Sequence, residues 1–397
     1  MASRLAGHFA FLILLFVVIT KVQSDQKVFN VINFGVIADG KTDNSKAFVD
    51  VWNQACSYSG RGVVLIPKGT YYASSMVFTG PCKGQTLFSI NGNLKAPTDK
   101  KAWAGTESWI SFRNIINLEI SGGGSFDGQG PSAWPYNDCN TNPNCVQLPI
   151  SIGLDFVNDS RIHDIKLINS KNFNMKVFGC LRTTIERIQI TAPATSPNTD
   201  GIHIGSSTSI KIFDSLIATG DDCISIGPGT ENLEVSGVTC GPGHGISIGS
   251  LGKYANEADV KNLVIQNCNL TGTDNGVRIK TWAPSPPSIV YNVTFENINM
   301  KDVGNPIIID QQYCPSGNCG TQASSQVQIT GVKLKNIFGT SKNKVAVNLN
   351  CSPSKPCQKI DLTDIDLIYN GQDGAATSSC SNARGIARGR QEPPSCL

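Results

Sequence analysis

The sequence predicts an all-β protein, a parallel β-helix in one domain, and three observations carry the prediction. Short β-branched stretches recur along the chain, among them TIERIQITA, SIKIFDSLIAT, NLEVSGVTC and IVYNVTFENINM. Second apolar alternations, DGIHIG, DCISIG, HGISIG, NGVRIK and NPIIID, follow polar or Gly-rich turns. Strands repeating about every twenty to thirty residues are the mark of a solenoid. With 39 glycines, no heptads and few helical patterns, a β-helix fits better than a leucine-rich horseshoe.

Residues 1–24, MASRLAGHFAFLILLFVVITKVQS, place one Arg ahead of the apolar run from Phe9 to Ile19 and end on the small Ser24. That is the layout of a secretory signal peptide. The run is shorter than the roughly 20 apolar residues that span a bilayer, so no membrane partner is expected after its removal. The chain carries a net charge of +3, and the leader holds Arg4 and Lys21 but no acid, leaving +3 − 2 = +1. Near-neutrality argues against nucleic acid as a partner. Residues 25–397 then form one elongated, exported domain, expected to be a monomer.

From Asp43 to Cys56 the pattern changes to a helical one. Ala47, Phe48, Val51, Trp52, Ala55 and Cys56 share one face, with Thr42 or Asp43 able to cap it. Such a helix would close the open end of the solenoid. In the coils that follow, alternation turns Ile202, Ile204, Ile224, Ile226, Ile246, Ile248, Val277 and Ile279 inward. It turns His203, Ser225, Ser247 and Arg278 outward, and then Gly205, Gly227, Gly249 and Lys280. The recurring Asn169, Asn267, Asn297 and Asn336 read as stacked amides that satisfy buried backbone at coil corners.

All 14 cysteines lie beyond the leader, and in an oxidising destination disulfides are the default for them. Cys139/Cys145, Cys314/Cys319, Cys351/Cys357 and Cys380/Cys396 have the spacing of local clips, with Cys56/Cys82 near the start. No CxxC pair occurs and only His163, His203 and His244 remain after the leader, so neither a metal nor a cofactor is expected. Asn158, Asn269, Asn292 and Asn350 each head an Asn-x-Ser/Thr triplet, the acceptor of N-glycosylation.

The chemistry concentrates where the coils are most regular. Asp200 of NTDG, Asp222 of GDDC and His244 of GHGI recur at one interval, since 222 − 200 = 244 − 222 = 22. Stacked coils would bring their backbones about 5 Å apart along one edge, with Asp221 beside them. Three carboxyls this close cannot all ionise cheaply, so one should stay protonated. A proton donor beside carboxylates that can activate water is the equipment of glycoside hydrolysis. The turn breaks the alternation, leaving open which Asp points where. On the next coil Arg278 and Lys280 suggest a substrate that itself carries carboxylates. Lys280 stands where the coils beneath have Gly, which leaves a shelf for a sugar ring.

Each motif alone has a plainer reading: Asp and Asn favour turns, a Gly-flanked His can be a turn residue, and cations are usually at the surface. Those readings do not predict all of them on consecutive coils.

At these residues the chain closely resembles the polygalacturonases, glycoside hydrolase family 28. The four signature segments stand in order as NTD (198–200), GDD (220–222), GHG (243–245) and RIK (278–280), and the resemblance runs from about Phe29 to the terminal SCL. It implies a right-handed β-helix that hydrolyses α-1,4 bonds between galacturonic acid units of de-esterified pectin, with inversion and without a metal, in the cell wall. It implies Asp221 as general acid, Asp200 and Asp222 as the residues that hold and activate water, and His244 as keeper of the acid's proton. Asn198 would contact substrate, Arg278 and Lys280 would grip the carboxylate, and Tyr313 would contact the sugar. Cys223 and Cys240 would form a disulfide tying the two catalytic turns. Overall the chain is most similar to the plant pollen group, often exo-acting, with endo action the alternative. A pectate lyase would need calcium and an Arg base. A non-catalytic pectin-binding wall protein would need Arg278 and Lys280 but have no use for three aspartates.

Overall fold

The alternating segments wind into a right-handed parallel β-helix. The structure is a computed structural model that describes residues 25–139, 142, 144–315, 317, 319 and 324–397. The expected signal peptide lies outside the described residues.

Eleven strands stack into one sheet, which carries the site. In chain order they are β1 (Met76–Thr79), β2 (Ser108–Ile116), β3 (Ile150–Asn158), β4 (Met175–Phe178), β5 (Ile202–Gly205) and β6 (Ile224–Ile226). There follow β7 (Ile246–Leu251), β8 (Asn275–Trp282), β9 (Asn305–Tyr313), β10 (Val345–Asn350) and β11 (Thr377–Ser381). The other strands form ladders that wrap the remaining sides. One passes through Arg161–His163, Thr184–Glu186 and Lys211–Phe213, another through Lys166–Ile168, Gln189–Thr191 and Leu216–Ala218. The long strand Val260–Thr271 continues both.

Register follows the apolar alternation. Ile202 pairs with Ile224, Ile224 with Ile246 and Ile246 with Val277, and Ile204, Ile226, Ile248 and Ile279 form the next column. All eight are buried in a core continuous along the coil. A slip of one residue would expose the whole column, so this stack fixes where every outward side chain stands.

The predicted helix is α1 (Ser45–Cys56), with Phe48, Val51, Trp52, Ala55 and Cys56 buried. Trp52 lies 5.2 Å from Phe78 and 5.7 Å from Phe112, covering the first coils. Asn44 rather than Thr42 or Asp43 precedes the first helical residue, and its amide is spent on the carbonyls of Ile37, Thr42 and Tyr72. Asp43 still accepts from the Ser45 N–H at 3.0 Å.

Two expectations need correction. Asn336 donates to Asn297 at 2.8 Å, Asn297 to Asn267 at 3.1 Å and Asn267 to Ser236 at 3.3 Å. These amides satisfy one another on an exposed ladder rather than buried backbone, and Asn169 stands outside it. All four adopt positive φ, the left-handed corner that Asn tolerates. Nor are all cysteines bridged. The six pairs Cys56–Cys82, Cys139–Cys145, Cys223–Cys240, Cys314–Cys319, Cys351–Cys357 and Cys380–Cys396 form, but Cys180 and Cys268 are free and buried. Both sit among apolar groups that push their thiols up to about 11, so they act as small core residues. Among the sequons, Asn269 and Asn292 are exposed, whereas Asn158 and Asn350 are half-buried. No helix among the described residues is long and apolar enough to cross a membrane.

Candidate active site

The site grows out of the isoleucine register. Asp200, Asp222, His244 and Asn275 each stand two residues ahead of a member of the same core column, on β5 to β8. Glycines let the turns stack this closely. Gly243 has φ +138° and Gly245 φ +89°, and a Cβ on either would come within 2.5 Å of the Asp221 carbonyl and 2.1 Å of the Asn275 carbonyl respectively. The Cys223–Cys240 disulfide ties the Asp222 turn to the strand that leads into the His244 turn.

The three carboxyls have different surroundings. Asp222 is buried, with Lys280 Nζ donating to Oδ2 at 2.8 Å and Ser247 Oγ to Oδ1 at 2.7 Å. Burial opposes the Lys280 charge, but Asp222 outweighs it and the ammonium is held above its ordinary value. Asp221 is half-buried, and Oδ1 faces His244 Nδ1 at 2.8 Å and the Asp222 N–H at 2.8 Å. Burial pushes its carboxyl up; the hydrogen bond and charge of His244, the Asp222 N–H and Lys280 together outweigh this and hold it below the usual range. For Asp200 the balance is reversed: burial first, then the charges of Asp221 and Asp222, outweigh the Ser225 hydrogen bond and the Lys280 charge and raise it well above the ordinary 3.8.

The shared proton expected from crowding therefore rests on Asp200 in the free site. His244 is raised in its turn, chiefly by its bond to Asp221, and its Nε2 lies 3.5 Å from Asp274 Oδ2. The Asp221 and His244 pair thus stands as a carboxylate facing an imidazolium.

The two cations also differ. Lys280 is 7% exposed and committed to Asp222. Arg278, in register with Ser247, has a buried Nε with no hydrogen-bond partner among the described residues. Its guanidinium lies 5.3 Å from the Tyr313 ring centroid, and Lys280 Nζ 5.4 Å from it. Below them His203 Nδ1 meets Ser225 Oγ at 2.8 Å while its ring stacks on Phe173 at 4.8 Å. Burial and the charges of Lys176 and Lys280 lower His203 to about 4, so it is neutral above mildly acidic pH. Asn198 is exposed, its amide 3.5 Å from Asp221 Oδ2. Together Asp200, Asp221, Asp222, Lys280, Asn198 and Tyr313 line a cleft of about 230 Å³; Arg278 and His244 flank it.

One oxygen each from Asp221 and Asp222 and a nitrogen of His244 lie within 4.8 Å of one another, a spacing that a divalent cation could use. The positive charge beside Asp222 is already supplied by Lys280, and His244 Nδ1 is directed at Asp221.

Sequence reasoning passed over three contributors. Asn275 occupies the same column as His244 and donates to its carbonyl at 3.3 Å, itself accepting from Asn305 at 3.1 Å; its place ahead of the GVRIK alternation was the available signal. Phe173 and Asn137 had none: Asn137, beyond the 3-10 turns Gly130–Ser132 and Trp134–Tyr136, donates to Asn198 at 2.9 Å only through the tertiary fold.

The description "Glycosyl hydrolases family 28" matches residues 56–393. The chain belongs to this family. It is a glycoside hydrolase. An exopolygalacturonase from Platanus acerifolia is 46% identical over 373 residues, 94% of this chain and 98% of the relative. A polygalacturonase from Gossypium hirsutum is 46% identical over 386 residues, 97% and 94% of the two chains. The β-helix matches the endo-xylogalacturonan hydrolase of Aspergillus tubingensis with TM-score 0.77 at 22% identity, covering 92% of this chain and all of that one. It also matches the polygalacturonase of Erwinia carotovora with TM-score 0.72 at 24% identity, covering 88% and 95%. These two likenesses concern the fold.

Proposed function

We propose that the protein is a secreted polygalacturonase that hydrolyses α-1,4 bonds between galacturonate units of de-esterified pectin with inversion, from a chain end. The observation that carries the proposal is the division of labour among three clustered carboxyls beside the Arg278 guanidinium, whose buried Nε has no hydrogen-bond partner among the described residues. Identity of 46% to plant proteins named exopolygalacturonase and polygalacturonase supports the substrate class.

Arg278 pairs with the galacturonate carboxylate, which its planar fork can meet with two N–H donors, while Tyr313 lies against the ring. His244 passes its Nδ1 proton across 2.8 Å to Asp221, and Asp221 delivers it to the glycosidic oxygen as the C–O bond breaks. Water attacks the anomeric carbon from the opposite face. Asp222 takes the proton from that water, its lone pairs not exhausted by Ser247 and Lys280, and protonated Asp200 holds the water by a hydrogen bond. Buried Lys280 holds Asp222 in place through their 2.8 Å contact.

Exo action is supported by the likeness to plant proteins named exopolygalacturonase, and the turns from Gly130 to Tyr136 bring Asn137 onto Asn198 at the cleft. Export to the cell wall, with a role in wall remodelling or pollen growth, rests on the leader-like residues 1–24 and on the likeness to plant relatives. The test is to follow product sizes from polygalacturonic acid over time, with and without a chelator. Monomer as the first product, formed equally in chelator, supports the proposal. A mixed ladder refutes exo action, and a chelator-sensitive, ultraviolet-absorbing product refutes hydrolysis.

A further inference from the structure

We propose that the sheet below the catalytic cleft carries an aromatic platform, Phe156 with Phe178, that binds an uncharged sugar unit of the substrate, a methyl-esterified galacturonate. The proposal rests on the polygalacturonate reading above.

Phe156 is the one hydrophobic side chain among the described non-glycine residues with positive φ, at 56°. A bulky residue is disfavoured there, and such outliers persist where the surrounding structure enforces them, often at ligand sites. The ring does not repay this by burial, since Phe156 is 51% exposed and its neighbour Phe178 40%. The two rings meet edge to face at 5.9 Å. Phe178 closes β4 and Phe156 lies on β3, two and three coils below the β6 coil of Asp222, or about 10 to 15 Å along the axis at the usual strand spacing. Phe178 pairs with Gly205, and neither Gly205 nor Gly227 has a side chain to block the way toward Lys280. The shelf thus runs from a cation at one end to two exposed rings at the other.

The charges at the lower end cancel. Lys176 is paired with Glu107 and with Asp155, the latter at 2.8 Å, and Arg113 lies 3.3 Å from Asp155 and 3.4 Å from Glu107. Two cations and two carboxylates leave none over for a uronate, whose desolvation there would go uncompensated. A methyl ester removes that charge and offers apolar surface to the rings. A cleft of about 320 Å³ lies at this cluster. It shares Glu107 with a larger cleft of about 860 Å³, which shares Phe173 with the catalytic one, so one substrate chain can reach both ends.

The test compares tetragalacturonate, whose last unit lies about 10 to 15 Å from the terminal bond that exo action cuts, with the same tetramer esterified only at that last unit, by calorimetry and by kcat/KM. The probes are applied to the wild type and to the double variant Phe156→Gly, Phe178→Ala; glycine accepts the φ of position 156. We expect the wild type to prefer the ester by about three- to tenfold, and the variant to lose that preference while cleaving digalacturonate at the wild-type rate. No preference, or one that survives both substitutions, overturns the platform. If no galacturonan is cleaved while calorimetry still shows the preference, the polygalacturonase reading falls and the platform stands.

Discussion

Asp200→Asn should make the protein more stable at neutral pH, by an amount that grows with pH. Asp200 is 5% exposed and its carboxyl is raised by burial and by Asp221 and Asp222. A raised acid holds its proton in the folded chain where the unfolded chain has lost it, so the folded state binds more protons and stability falls as pH rises. The window opens at the ordinary 3.8 and closes at the raised folded value. Within it each pH unit costs the wild type up to about 1.4 kcal/mol. With an unfolding entropy of about 2.1 cal/mol/K per residue over residues 25–397, that is roughly 2 °C in Tm per pH unit. The amide matches the neutral acid in shape and cannot ionise, so it escapes the loss. The assay is calorimetric melting of both proteins from pH 4 upward. The difference in Tm should be small at pH 4, widen with pH and then level off. A difference independent of pH, or a variant less stable at neutral pH, would refute the placement of the proton on Asp200.

Other outcomes follow from the same geometry. Asp221→Asn should lose about 10²- to 10⁴-fold in kcat, the usual contribution of a general acid, while binding of galacturonate oligomers by calorimetry stays intact. Lys280→Met strands the Asp222 carboxylate, which is 2% exposed; removing one partner of a buried pair costs about 3–5 kcal/mol, readable by denaturant titration. His244 is raised above its ordinary 6.5 by Asp221, so its proton, and with it activity, should fade as pH climbs through that raised value; His244→Asn leaves Asp221 to hold the proton alone and should move this alkaline limb of the kcat profile to lower pH. Replacing Cys223 and Cys240 by Ser opens a loop with a sequence separation of 17, and chain entropy puts the cost near 3 kcal/mol, visible as a lower Tm.

Much of the fold was legible because the core demands it. The isoleucine column could be read from DGIHIG, DCISIG and HGISIG, since a two-residue alternation bounded by turns has one register that buries it, and that register places Asp200, Asp222 and His244 together. The helix over Ser45–Cys56 was equally plain from its apolar face. Spacing could not show the ownership of protons: Lys280 reads as an exposed cation beside Arg278, yet the fold buries it against Asp222 and leaves Arg278 Nε without a hydrogen-bond partner among the described residues. The exposed asparagine ladder was misread because a recurring corner residue looks the same whether its amide meets backbone or another amide. Cys180 and Cys268 escaped the disulfide default because each is buried in the core, Cys180 just after β4 and Cys268 on the strand Val260–Thr271, which no count of cysteines reveals. Asn137 reaches Asn198 through a turn whose path depends on packing alone.

The most direct test of the stacked-carboxyl account is proton NMR of the anomeric signals while the protein digests polygalacturonic acid. The account predicts that reducing ends form first as the β-anomer, unaffected by chelator, and that Asp221→Asn abolishes the signal. First products in the α-configuration, or an Asp221→Asn protein that cleaves at the wild-type rate, would contradict it.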